Sequence, residues 1–99
     1  MKTVLKGKIV KIFPTETVGQ NATKKRLVRM DISENGINSV VDVTLLHDKV
    51  DVADKLSIHD DIEVTCYIMG NLHIGQDGVE RCFINLNAYR VAFLQKTVL

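Results

Sequence analysis

Apolar and polar residues alternate from the start of the chain. In residues 4–13 (VLKGKIVKIF), Leu5, Gly7 and Ile9 fall on one side, and Lys6 and Lys8 on the other. That is the period of a half-buried strand. After Ile9 the pattern slips: Ile9 and Val10 are adjacent apolar residues, Lys11 intervenes, and Ile12 and Phe13 follow. A one-residue slip beside a glycine predicts a bulge or sharp bend, because Gly7 has no side chain to resist close backbone approach. Pro14 has no N–H to give and ends the pairing. A long, bent first strand lets one strand serve two sheets, as in a small five-stranded Greek-key barrel.

The same patterning sets out the rest. Residues 15–23 (TETVGQNAT) are polar and read as a flexible loop. Residues 24–32 form a second strand, with Val28, Met30 and Ile32 on one face and Leu27, Arg29 and Asp31 on the other. Ser33, Glu34, Asn35 and Gly36 form a turn, since Asn-Gly is the strongest short hairpin signal. A third strand spans residues 38–46, with Val41, Val43 and Leu45 inward and Asp42 and Thr44 outward. Val50, Ala53 and Leu56 then recur at helical spacing, which predicts a short helix with Asp48 as its N-cap. In a fourth strand Ile62, Val64, Cys66 and Ile68 alternate with Glu63, Thr65 and Tyr67. Residues 70–78 (GNLHIGQDG) read as a glycine-punctuated loop. A fifth strand covers residues 81–91, with Leu86 and Ala88 inward and Asn85, Asn87 and Tyr89 on the other side. Three strands, a short helix and two strands are the order of an OB-fold, a mainly β barrel.

Composition narrows the class. Ninety-nine residues, 45% of them hydrophobic, make one domain with one core. No apolar run approaches the ~20 residues of a membrane span. Charges at Lys2, Lys6 and Lys8 break any secretory signal, so a cytoplasmic protein with no membrane partner is expected. The two cysteines, Cys66 and Cys82, fit a reducing compartment. They lie on strands that form one hairpin, so they can be neighbours. The expected state is two small buried thiols, with a disulfide as the alternative.

The net charge of +1 hides an asymmetry. Residues 1–30 carry eight Lys or Arg against Glu16, and residues 31–63 carry nine acids against Lys49 and Lys55. Such a division points to nucleic acid or an acidic partner, or to the charged outer faces of strands.

The last predicted strand, FINLNAYRV, follows a glycine-rich hairpin and resembles the closing strand of a family of small OB-fold proteins. These are single-stranded-DNA-binding-like proteins common in Bacteroidetes and their phages. LKGKIVKIFP, LLHDKVDVADKL and LSIHDDIEVTCYI fit the same pattern, so the resemblance covers nearly the whole chain. It implies an OB-fold and single-strand binding. The family tends to carry Trp near the second strand and in the last. Here Lys25 and Leu27 occupy the first neighbourhood and Tyr89 the second. The acidic tail common in bacterial single-strand-binding proteins is replaced by an apolar AFLQKTVL.

Single-strand binding needs a basic groove for phosphates and aromatic faces for bases. Lys24, Lys25, Arg26 and Arg29 supply the first on the second strand, where OB-folds take ligand. Lys6, Lys8 and Lys11 can extend that surface, and Arg81 and Arg90 can clamp phosphate. Tyr67 has outward parity and Tyr89 joins it as a stacking face; Phe13 and Phe93 are assigned to core or interface. Asn85 and Asn87 can hydrogen-bond bases. His47, His59 and His73 are far apart and no Cys-x-x-Cys occurs, so no metal or cofactor is expected. Asp48, Asp51 and Asp54, and the Asp60–Asp61 pair, read as solvated acids. No nucleophile–base pair or phosphate-cradling loop points to an enzyme.

The primary expectation is a non-catalytic protein that binds single-stranded DNA, RNA being indistinguishable, in replication or recombination. The alternative is an OB-fold interaction or assembly module without nucleic-acid affinity. The apolar end, with Phe93, Leu94, Val98 and Leu99, suits a homo-oligomer or a replication or phage protein partner.

Overall fold

In the computed structural model, which describes residues 1–95, the alternating start of the chain becomes β1 (Lys2–Ile12). Its first half pairs antiparallel with β5 (Asp61–Ile74), from Lys2 opposite Tyr67 to Lys8 opposite Asp61. Its second half pairs with β3 (Thr23–Asp31), from Lys8 opposite Asp31 to Ile12 opposite Val28. One strand thus serves both sides of the barrel. The slip in the pattern is a bulge: Ile9 opposes Met30 and Lys11 opposes Arg29, which leaves Val10 unpaired. Ile9 is fully buried there. Its N–H donates to the Asp60 carbonyl (2.9 Å), and its own carbonyl accepts from the His59 N–H (2.8 Å). At Gly7 a Cβ would run into the backbone carbonyl of Asp31, so the glycine permits the crossing.

Besides these strands the fold has β2 (Glu16–Val18), β4 (Val40–Leu46) and β6 (Glu80–Gln95). The sheet order is β1-β5-β6-β4-β3-β2, and the β1–β3 pairing closes it. β4 and β6 run parallel and meet at Val43–Leu86 and Thr44–Asn87. Five long strands closed in this order, with a short helix between β4 and β5, form an OB-fold. The largest fully buried apolar side chains of the core are Ile9, Met30, Leu45, Ile62, Val43, Val64 and Cys66, all at the inward parity read from the sequence. The turn at Asn35 and Gly36 has positive φ at both residues, 52° and 79°, as a type I′ hairpin requires.

Several expectations need correction. The helix (His47–Lys55) is 3-10, with Leu46 at the N-cap position and no side-chain cap. Asp48 sits in the first turn instead. The spacing of Val50, Ala53 and Leu56 is three, the 3-10 period, and all three are buried. Asp60 is not a solvated acid: it is completely buried, and its carboxylate accepts the Ser57 N–H at 2.9 Å. The polar stretch 15–23 is no flexible loop, because β2 pairs with Thr23, Lys24 and Lys25. Residues 70–74 likewise belong to β5, and the hairpin turn shrinks to residues 75–79. Thr44 keeps outward parity yet is buried, since Leu27 and Asn87 flank it on neighbouring strands.

The cysteines are not neighbours. Cys66 opposes Ala88 in the barrel, whereas Cys82 opposes Leu72 on the projecting hairpin. Both are free thiols, Cys66 buried and Cys82 exposed. Burial pushes the Cys66 thiol up from its ordinary range, and the thiolate is the reactive form. Titration of the native protein with a thiol reagent at neutral pH is therefore expected to modify Cys82 only, with Cys66 reacting after denaturant is added. Rapid reaction of both thiols in the native state would contradict the burial.

Candidate nucleic-acid interface

Side chains on paired strands share a face when their residues stand opposite each other. Leu27 opposes Thr44, Thr44 pairs with Asn87, Asn87 opposes Tyr67, and Tyr67 opposes Lys2. These five residues form one outward-facing row across β3, β4, β6, β5 and β1. The row is apolar at Leu27, polar in the middle, and aromatic and basic at its far end.

The far end is an aromatic platform. The Tyr67 and Tyr89 rings meet edge to face, with centroids 5.8 Å apart. Tyr67 is 36% exposed and Tyr89 51%. Tyr89 lies at a second bulge, where Thr65 opposes Arg90 and Cys66 opposes Ala88. The extra residue brings its ring beside Tyr67. The Lys2 ammonium stands 4.6 Å from the Tyr89 centroid and 5.5 Å from that of Tyr67, within cation–π range. One positive charge and two ring surfaces thus coincide.

At the other end a groove of about 450 Å³ runs between Lys25, Leu27 and Thr44 on one wall and Asn85 and Leu86 on the other. Phe13 borders this end. Its N–H donates to the Leu27 carbonyl at 3.0 Å. Lys11 Nζ lies 4.7 Å from its ring centroid and the Arg29 guanidinium carbon 5.0 Å. Phe13 is half-buried under these cations rather than in the core. Phe93, assigned with it to core or interface, is 45% exposed on β6. Val98 and Leu99 lie outside the described residues.

The four-residue basic cluster does not form one patch. Alternation puts Lys25 and Arg29 on the outward face with Leu27, and Lys24 and Arg26 on the other. Arg26 is largely enclosed: Nε donates to the Phe13 carbonyl at 2.7 Å and Nη1 to Asp54 at 2.9 Å. It ties β3 to the 3-10 helix. Arg29 forms a two-pronged pair with Asp42, at 2.8 and 3.2 Å. The Asp42 hydrogen bond, then its charge, hold the Arg29 guanidinium above its usual range. Lys24 is exposed opposite Thr17.

Other candidates are compensated too. Lys6 faces Glu63 at 3.8 Å and Lys8 faces Asp61 at 3.1 Å. Arg81 donates to Asp77 at 2.9 Å across the hairpin turn. That bond and the Val79 N–H hold the Asp77 carboxyl below its ordinary range. Arg90 differs: it is exposed opposite Thr65, two residues from Tyr67 on the same outward face. Lys11, Lys25, Arg90, Tyr67 and Tyr89 therefore join the outward face from among the sequence candidates. Lys2, Phe13 and Thr44 were not singled out. Only the β1–β5 register brings Lys2 to the tyrosines. Among the described residues no group of three or more His, Cys, Asp or Glu side chains converges as a metal site.

A family model described as "Domain of unknown function (DUF3127)" matches residues 4–92. No curated protein matches the sequence. Among solved structures, two crystal forms of Rim1, a mitochondrial single-stranded DNA binding protein from S. cerevisiae, superpose with TM-scores of 0.83 and 0.81. They are 13% and 11% identical to this chain. The alignments cover 98% of this chain in both, and 97% and 98% of the Rim1 chains. A selenomethionine-labelled Rim1 structure gives 0.74 at 14% identity, covering 98% of this chain and 97% of that one. At these identities the likeness is one of fold.

Proposed function

The chain belongs to the DUF3127 family, and we propose that it is a non-catalytic protein that binds single-stranded nucleic acid across the outward face of its OB-fold. The observation that carries this reading is the five-strand row ending in Lys2, Tyr67 and Tyr89. Bases stack on the tyrosines, Asn85 and Asn87 offer hydrogen bonds, and Lys2, Lys11 and Lys25 hold phosphates. The fold shared with Rim1 supports single-stranded DNA as the ligand. The binding is sequence-tolerant, because every base has a face to stack. Its place is in the cytoplasm of a bacterial or phage-infected cell, on transient single strands of replication or recombination.

Fluorescence anisotropy with labelled oligo-dT, oligo-U and duplex DNA over a salt series tests this. Preference for single strands is expected, with affinity falling as salt rises. Each phosphate contact adds about −0.7 to the logarithmic salt slope for a single strand. Lys25→Ala should flatten the slope by about that amount. Arg26→Ala should lower the melting temperature and leave the slope alone, since its guanidinium is engaged with Phe13 and Asp54. An unchanged slope in Lys25→Ala would remove that residue from the interface. Failure of the wild type to prefer single strands would reject the function.

The second reading, an interaction module, is favoured by the apolar back of the β5–β6 hairpin. Leu72, Ile74 and Ile84 are 67–70% exposed there, as if awaiting a second copy or another protein. The same anisotropy series separates the two.

A further inference from the structure

We propose that the front of the projecting β5–β6 hairpin is a second base-stacking subsite, centred on Phe83 with His73, and that it lengthens the bound strand beyond the tyrosine platform. This rests on the single-strand reading above. Three paired rungs, Met69–Asn85, Asn71–Phe83 and His73–Arg81, continue the ladder from Tyr67–Asn87. Side chains alternate along a strand, so these rungs share the outward face of Tyr67 and Tyr89.

The hairpin leaves the barrel here. β6 pairs with β4 only at Leu86 and Asn87, and from Ile84 towards the turn only β5 accompanies it. Both faces of this ribbon are open, and they differ in chemistry. The back carries Leu72, Ile74, Cys82 and Ile84. The front carries Met69, Asn71, His73, Arg81, Asn85 and one phenyl ring, that of Phe83.

Phe83 is 51% exposed, too open to serve a core. The His73 ring meets it edge-on, with centroids 6.2 Å apart and planes at 62°. This buttresses the phenyl ring and leaves ring surface for a base. Amides flank it on the same face and can bond base edges. Arg81 is next along the strand on that face, partly neutralised by Asp77.

Tyr67 lies four residues from the Asn71–Phe83 rung, about 13 Å of strand, and Tyr89 six residues from Phe83, about 20 Å. A dinucleotide, with a single internucleotide step, is too short to rest on both platforms. A fifteen-nucleotide strand can reach both, within the usual ~4–16 nucleotides of an OB-fold site.

The experiment compares dT2, followed by NMR shifts, with dT15, followed by anisotropy, in the wild type and in Phe83→Ala, Phe83→Trp and Tyr67→Ala. Phe83→Ala should weaken dT15 about five- to 150-fold and leave dT2 unchanged. Phe83→Trp should restore dT15 binding. Tyr67→Ala should weaken both lengths. Equal losses for both lengths in Phe83→Ala, or no loss in either, would overturn the second subsite while the function stands. A wild type that binds neither length would overturn the single-strand reading itself. Phe83 lies outside the core, so an unchanged melting temperature accompanies the expected result.

Discussion

Tyr67→Ala and Tyr89→Ala are each expected to weaken oligo-dT binding by roughly 1–3 kcal/mol, or about five- to 150-fold. Three features of the platform set the size of this effect. The rings are partly exposed, so each offers surface to a base. They touch edge to face, so removing one also releases the other. Lys2 rests over both, so it loses its fixed position when they are gone. The double variant should therefore lose less than the sum of the singles, because residues in contact couple. Tyr89→Phe should bind nearly as the wild type, since stacking needs the ring and not the hydroxyl. Melting temperatures should barely change, because neither ring is in the core. Single-strand affinity unchanged in the double variant would show that ligand does not cross this face.

How far the sequence reached follows from which interactions are local. Alternation in β1, β3, β4, β5 and β6 is a property of neighbouring residues, so the core positions Ile9, Met30, Val43, Ile62 and Val64 were legible. So was the bulge, because a slip in period appears within five residues. The interface was harder. Lys24, Lys25, Arg26 and Arg29 lie within six residues of sequence, yet the strand divides them between two faces. Whether a cation is free depends on distant partners: Asp54 for Arg26 and Asp42 for Arg29. Lys2 becomes part of the platform only through its pairing with Tyr67, sixty-five positions away. The glycines misled in another way. Gly70 reads as loop punctuation, but it lies inside β5 opposite Ile84, in a ribbon where both faces are open and nothing demands a side chain. The exposed Leu72 and Ile74 extend the strand pattern, and that alternation was the stronger signal.

The glycine at the barrel crossing supplies the largest expected effect on stability. In Gly7→Ala the new Cβ would meet the carbonyl oxygen of Asp31 and lie 3.1 Å from Ile32 Cγ2. The first obstacle is backbone, at the point where β1 passes from β5 to β3, and it cannot rotate away as a side chain can. Overpacking of this kind costs about 1–3 kcal/mol and occasionally more. For a domain of this size each kcal/mol lowers the melting temperature by about 4–8 °C. A drop of roughly 4–24 °C is therefore expected by thermal unfolding. Gly70→Ala is the control, since its Cβ would find nothing closer than Cys82 Sγ at 3.8 Å. With no steric penalty, the lost freedom of the unfolded chain should make it neutral or slightly stabilising. Equal melting temperatures for Gly7→Ala and the wild type would mean that β1 does not need its close approach to β3 to close the barrel. A large loss in Gly70→Ala instead would place the critical glycine on the hairpin rather than at the crossing.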